Sequence, residues 1–243
     1  MILVVDSGST KTDWIALDDK GEEIFSTQTL GLNPQMLSNE ILNERIKNNF
    51  DIYKNRKLVN KLFFYGAGCG VDSTQERILK IFKSIFINSK FDIKEDTYAA
   101  VYSAVDIGTP SIVNILGTGS NCSYYDGKNV IQKVQSLGYV LMDYASGNYY
   151  GKYLIRAYYF NRMPESLREE FAKSYDLSPN SIKNRLYREE NPNTYLAGFA
   201  KFLIENKSNE YFKEIIYKGL ERFIDYQILQ YDDFTSVDVH YVG

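Results

Sequence analysis

Two short stretches of this chain are built from residues that suit phosphate oxygens. Asp6-Ser7-Gly8-Ser9-Thr10-Lys11-Thr12 and Gly117-Thr118-Gly119-Ser120-Asn121 each place Gly, Ser and Thr at a hairpin tip. Such a tip exposes backbone N–H groups and hydroxyls, and glycine lets a ligand approach the backbone closely. Asp6, directly before the first tip, is an acid of the kind that holds Mg2+, usually through water. Either stretch alone reads equally well as a plain polar hairpin. Two of them, each ending the first strand of a repeated unit, favour a clamp on the phosphates of a nucleotide. Asp96 is the third candidate, after a short strand and before a helix. It reads first as an N-cap, worth on the order of 1 kcal/mol; the same placement suits a general base.

Other chemistries have little material. The Walker pattern GxxxxGK[ST] is absent. Gly66-Ala67-Gly68-Cys69-Gly70 follows a strand and precedes a helix, with an acid after the next strand. That is a partial dinucleotide-binding pattern, with Val71 and Asp72 where its last glycine belongs; it stands as an alternative. Cys69 and Cys122 lie far apart and form no CxxC pair, so neither a zinc site nor a redox motif is signalled. The single histidine, His240, sits in an apolar run and reads as structural. Acid–base work therefore falls to carboxylates, Lys or Tyr.

The elements that must position these residues come in two similar sets. Strands are expected at 2–5, 13–17 and 23–30, with an Asp18-Asp19-Lys20-Gly21 hairpin turn between the last two. Ser38 caps a helix running to Phe50, a strand spans 61–65, and an amphipathic helix spans 73–87. A short strand at 91–93 and a helix from Asp96 to Ala104 follow. The pattern then restarts with strands at 111–116, 123–125 and 130–134, the last two joined by an Asp126-Gly127-Lys128-Asn129 turn. A helix is expected over 146–160, a mostly helical stretch over 164–230 and a strand over 237–242. A repeated meander with helices after it implies two related α/β domains, 1–107 and 108–243, divided where Gly108-Thr109-Pro110 breaks a helix.

Composition is that of a globular protein: 243 residues, 44% hydrophobic and 24% charged, with a net charge of −3. No basic footprint of a nucleic-acid binder is present; Lys54-Asn55-Arg56-Lys57 reads as a solvated loop. The opening Met1-Ile2-Leu3-Val4-Val5 is too short for a signal peptide, and no window is long and apolar enough for a membrane span. A cytoplasmic protein with no nucleic-acid and no membrane partner is expected.

Four motifs in order resemble those of the N-acetylglucosamine kinases, members of an ATPase family that also includes the activators of acyl-CoA reductases and dehydratases. Asp6-Ser7-Gly8-Ser9-Thr10-Lys11-Thr12-Asp13-Trp14 resembles their first phosphate motif and Gly117-Thr118-Gly119-Ser120-Asn121-Cys122 their second. Glu95-Asp96-Thr97-Tyr98-Ala99-Ala100 is similar to the segment carrying their catalytic Asp, and Gly138-Tyr139-Val140-Leu141-Met142-Asp143 to the start of their Gly-Asp-Glu-Gly-Ser stretch. The resemblance runs along essentially the whole chain. It implies two actin-like (ribonuclease H-like) α/β domains with a nucleotide cleft between them, ATP and Mg2+ as cofactors and a small-molecule sugar as substrate. A homodimer is the assembly it allows. Asp6 would organise Mg2+. Ser7, Gly8, Ser9, Thr10, Lys11 and Thr12, with Gly117, Thr118, Gly119 and Ser120, would hold phosphates, and Gly219 would border the adenosine. Asp96 would take the proton from the attacking hydroxyl. Asn33, Gly66, Ala67, Gly68, Asn121, Ser136, Leu137, Gly138 and Asp143 would contact the sugar.

The chain departs from the pattern twice. Met142-Asp143-Tyr144-Ala145-Ser146 stands where the kinases have Gly-Asp-Glu-Gly-Ser, so the Asp is kept and two glycines and the Glu are lost. The sequence also stops at Val242-Gly243, where the family begins its adenosine segment, so an incomplete C-terminal part is expected. The runners-up are a sugar or nucleotide sensor without turnover and an activator-type ATPase. The activators bridge subunits with a cysteine-bound iron–sulfur cluster, against which lone Cys69 and Cys122 argue.

Overall fold

A computed structural model describes residues 1–8, 11–189 and 191–243. The chain divides into two compact units, Met1–Ser103 and Ala104–Gly243.

The first unit holds a five-stranded sheet of β1 (Ile2–Ser7), β2 (Lys11–Leu17), β3 (Glu23–Leu30), β4 (Lys61–Gly66) and β5 (Lys90–Glu95), in the order β3-β2-β1-β4-β5. β1, β2 and β3 form an antiparallel meander, and β4 and β5 run parallel to β1. The helices are α1 (Asn39–Lys47), α2 (Phe50–Asn55), α3 (Asp72–Ile85) and α4 (Thr97–Ala104), whose last residue already belongs to the second unit. The helix expected over 38–50 is two helices. Asn48 closes α1 and Asn49 caps α2 by accepting from the Ile52 N–H at 3.1 Å.

Strand alternation decides what each residue near the first hairpin can do. Leu3, Val5, Trp14, Ala16, Leu62 and Phe64 point to one face and are buried against Leu42 and Ile46 of α1 and Ile78 and Phe82 of α3. Ser7 and Thr12 continue that inward row. Asp6 and Asp13 lie on the opposite face, directly across from each other in the β1–β2 register.

The second unit repeats the plan. β6 (Ser111–Leu116), β7 (Ser120–Tyr125) and β8 (Val130–Ile131) form the meander, and β9 (Asp238–Val242) runs parallel to β6 as β4 does to β1. The third strand is shorter than the expected 130–134, because the Lys133 N–H donates to the Tyr231 hydroxyl at 3.2 Å instead of to a ladder partner. Six α-helices follow among the described residues: α5 (Gly147–Tyr159), α6 (Glu165–Ser174), α7 (Pro179–Tyr187), α8 (Pro192–Gly198), α9 (Ala200–Glu205) and α10 (Glu210–Tyr226). Their apolar faces share one core around Leu154, Phe171, Phe202, Phe212 and Phe223. No helix among the described residues is long and apolar enough to cross a membrane.

Candidate active site

In the first unit, the phosphate-type hairpin is held from inside. The Ser7 and Thr12 hydroxyls lie 2.7 Å apart, and both side chains are fully buried. Ser7 Oγ also accepts from the Leu32 N–H at 3.0 Å. These two residues, expected as phosphate ligands, have their hydroxyls turned into the fold, where they tie the hairpin to the Leu30–Leu32 segment. Gly8 and Lys11 remain exposed at the tip. Ser9 and Thr10 lie outside the described residues.

The Asp6 side chain reaches the surface, yet partial desolvation by the surrounding protein, then the Asp13 charge, raise its carboxyl above the ordinary range; Lys11 opposes this. Lys11 itself pairs with Asp13 at 2.7 Å. Asp96 lies between the end of β5 and the first turn of α4. Burial, then Glu95, then Asp6 lift its carboxyl from an ordinary 3.8 to about 6, and the N–H groups of Thr97 and of Asp96 itself oppose the shift. A carboxylate near pH 6 is poised as a base at neutral pH. Among the described residues, no three His, Cys, Asp or Glu side chains converge on a metal position. Mg2+ asks for less, since it is held by one or two carboxylates with waters and substrate phosphates, and Asp6 fits that need.

Asn33 is buried and meets the Gly66–Gly68 turn. Gly68, at φ +79, leaves no room for a Cβ against Asn33 Oδ1. The Ala67 N–H donates to Ser7 O at 2.8 Å, so that amide ties the two loops together and is not a free donor. Two arginines strap the segment carrying Asn33. Arg77 on α3 donates to Leu37 O and Asn39 Oδ1, both at 2.6 Å, and to Pro34 O. Arg45 on α1 donates to Gly31 O. Neither arginine was marked by the sequence motifs, because the carbonyls they hold lie 14 to 43 residues away.

In the second unit, the Gly117–Gly119 loop is oriented by the start of α5. The Gly147 N–H donates to Gly117 O at 2.8 Å, and the Asn148 N–H donates to Thr118 O at 3.0 Å. The Asn148 side-chain amide donates to the same Thr118 O at 2.6 Å and to Asp143 Oδ2 at 2.9 Å. In a trans peptide the N–H points opposite to the C=O. With the carbonyls of Gly117 and Thr118 drawn toward α5, the N–H groups of Thr118 and Gly119 face away from it, as a phosphate cradle requires. Thr118 is exposed beside them. Ser120 Oγ is buried and has no hydrogen-bond partner among the described residues, and Asn121 Oδ1 accepts from the Ser123 hydroxyl at 2.9 Å.

Asp143 is buried at φ +64, and Ala145 follows at φ +60. Asp tolerates the left-handed region, whereas Ala, standing where the kinase pattern has glycine, costs on the order of 1 kcal/mol there. Ser146 closes this turn, donating to Asp143 O at 2.6 Å and capping α5 through the Tyr149 N–H at 3.2 Å. Ser136 and Leu137 are exposed on the preceding loop, and no hydrogen bond among the described residues joins them to Asp143. Gly138, at φ +79, turns that loop and accepts from the Met142 N–H at 2.9 Å. Gly219 on α10 is buried against Tyr150, whose hydroxyl would lie 2.5 Å from an added Cβ. Its neighbours Ile216 and Leu220, with Tyr150, Ala197 and Ile204, line a largely apolar cavity of about 680 Å3 that reaches Gly117 and Thr118.

The chain has the fold of N-acetylglucosamine-kinase-like sugar kinases, with an α/β sheet in each of its two units. It is similar to a Porphyromonas gingivalis protein provisionally named an N-acetylglucosamine kinase, at 28% identity and a TM-score of 0.90, over 100% of this chain and 86% of that one. A Chromobacterium violaceum protein with the same provisional name matches at 15% identity and a TM-score of 0.68, again over 100% and 86%. A ROK family glucokinase from Streptomyces griseus, solved with glucose and AMPPNP, matches at 16% identity and a TM-score of 0.51, over 98% of this chain and 94% of that one. No protein-family model and no curated protein sequence matches the chain.

Proposed function

We propose that this protein transfers the γ-phosphoryl group of ATP to an amino sugar, N-acetylglucosamine, giving its 6-phosphate. The observation that carries the reading is the Gly117–Gly119 loop, whose carbonyls are drawn inward by Gly147 and Asn148 so that its donors face outward. Phosphoryl transfer asks the protein for positioning and charge neutralisation more than for covalent chemistry. The outward N–H groups of Thr118 and Gly119 and the tip at Gly8 and Lys11 receive phosphate oxygens. The apolar cavity beside Gly117 takes the nucleoside. Asp6 would hold Mg2+, which supplies neutralisation of the phosphate charge.

Asp96, ionised above about pH 6, accepts the proton of the attacking sugar hydroxyl. Asn33, fixed between the Arg77 strap and Gly68, offers its amide to the sugar. Asp143 spends one carboxylate oxygen on Asn148 and keeps acceptor capacity for a sugar hydroxyl. The test is ADP release from Mg-ATP with and without N-acetylglucosamine, alongside Asp96→Asn. Sugar-dependent release that the substitution removes supports the reading. ATP binding with no stimulation by any amino sugar or hexose sinks it and favours a sensor.

A further inference from the structure

A second concavity in the Ala104–Gly243 unit lies outside the residues assigned above. It encloses about 570 Å3 between the 140–144 loop, one face of α5 and one face of α10. Its walls carry Lys152, Arg156, Arg162, Lys218 and Arg222, and no acid is among the described residues that line it. The whole chain has net charge −3, so five cations around one hollow is a local reversal of sign. Lys218 is paired with Glu214 at 2.6 Å. Arg156, Arg162 and Arg222 make no ion pair among the described residues. Lys152 is half-buried and donates to Tyr139 O. Burial lowers its pKa, the Asp143 charge opposes that, and Arg156 lowers it further. Arg222 likewise acts against the charge of Lys218.

Like charges gathered in a concave wall focus a positive potential. The rest of the wall is ring-faced. Tyr144, Tyr149, Tyr153 and Phe160 line it, and Arg222 stands 5.9 Å over the Tyr144 ring. Guanidinium groups match phosphate oxygens in paired hydrogen bonds, and several cations suit a dianion better than a monoanion. A volume of this size lies in the range of small-ligand sites.

We propose that this hollow is a binding site for a phosphomonoester carried on a ring-sized organic body, a sugar phosphate being the class that fits both its charge and its rings. The side chains that line it are not those given kinase roles, although Asp143 sits in the same 140–144 loop, so binding here does not require turnover. Because Lys152 also holds Tyr139 O, a ligand there would order the 139–142 loop.

The experiment is calorimetric titration of the intact protein with glucose 6-phosphate in the presence of saturating ATP. Glucose, inorganic phosphate and glucuronate are titrated in parallel, and an Arg156→Ala/Arg222→Ala variant is carried alongside. Both arginines are exposed, so the variant is expected to fold, which circular dichroism and retained ATP binding verify. The expected result is binding of glucose 6-phosphate that weakens at least tenfold in the variant and falls with added salt. Binding that the variant retains, or that Asn33→Ala abolishes, would place the sugar phosphate elsewhere and overturn the proposal. Equal binding of inorganic phosphate or glucuronate would overturn the assigned class. Absence of binding, with the arginine pair instead governing self-association, would assign the face to a second copy of the chain and overturn the ligand site.

Discussion

A Cβ atom built on Gly119 would stand 2.8 Å from the Asp143 carboxylate. The second phosphate-type loop and the buried acid of the 142–146 turn are therefore in direct contact, with Asn148 hydrogen-bonded to both. Gly119→Ala must push either the loop or the carboxylate. Because small misplacements of a phosphate cradle are costly, we expect kcat/KM for ATP to fall on the order of tenfold to a hundredfold. Steady-state kinetics with ATP varied checks this, and an unaltered value would mean the loop does not hold nucleotide.

Asn148→Ala probes the same contact from the helix side. It removes the Asp143 Oδ2 donor while leaving the Asn148 backbone bond to Thr118 O in place. A buried acceptor left without its donor costs about 1–3 kcal/mol. Urea unfolding should show that loss. A positioning role adds a kinetic signature that simple destabilisation lacks: at a temperature where the variant is fully folded, KM for ATP rises.

The raised carboxyl of Asp96 sets a pH profile. A base with a pKa of about 6 is protonated below that pH, so sugar-dependent turnover should climb through pH 6 and level above it. Stability runs the other way. The folded protein binds this proton more tightly than the unfolded chain does, so Asp96 favours folding at low pH. Its contribution turns unfavourable as pH rises from the ordinary 3.8 through about 6. Holding the carboxylate ionised at pH 7 corresponds to roughly 3 kcal/mol at most. Asp96→Asn should therefore lose turnover and unfold at a higher temperature than the parent at pH 7.5, with the gap closing near pH 4. A variant that loses turnover with no such gap would leave the burial of Asp96 unsupported.

How much of this was legible without coordinates depends on the range of the signal. The two meanders were readable because each is local: β-type runs, an Asp-rich turn and a Gly/Ser tip within about 30 residues. The structure repeats them strand for strand, with β4 and β9 placed alike against β1 and β6. The break between α1 and α2 also had a local mark, the Asn48-Asn49 pair, which the apolar spacing through Ile46 and Phe50 overrode. Arg45, Arg77 and Asn148 had none, because each holds at least one backbone carbonyl of a distant residue and a carbonyl has no sequence signature. Ser7 and Thr12 show the opposite limit. Their residue types suggested ligands, while the period of two placed them on the core side of β1 and β2.

Arg77 should separate sugar from nucleotide. Its three bonds hold Pro34, Leu37 and Asn39 around Asn33, and none reaches the hairpin at 7–12. Arg77→Ala frees that segment, so KM for the sugar should rise on the order of tenfold while KM for ATP stays within about twofold. Arg77→Lys keeps the charge but cannot span three acceptors with one point donor, so it should rescue little. Equal losses toward both substrates would assign Arg77 a general structural role.

Ser7→Ala tests the inward reading of the first hairpin. If Ser7 touched phosphate, its loss would act mainly on ATP affinity. Its hydroxyl instead sits 2.7 Å from Thr12 Oγ1 and accepts from the Leu32 N–H at 3.0 Å. Removing it leaves the buried Leu32 N–H without its acceptor, at about 1–3 kcal/mol, while the Thr12 hydroxyl keeps its bond to Leu30 O. The Gly31–Leu32 segment, released from the hairpin, then lets Asn33 drift. The expected outcome is a lower unfolding midpoint and a raised sugar KM with ATP binding nearly unchanged. A selective loss of ATP affinity at full stability would instead return Ser7 to the phosphate site.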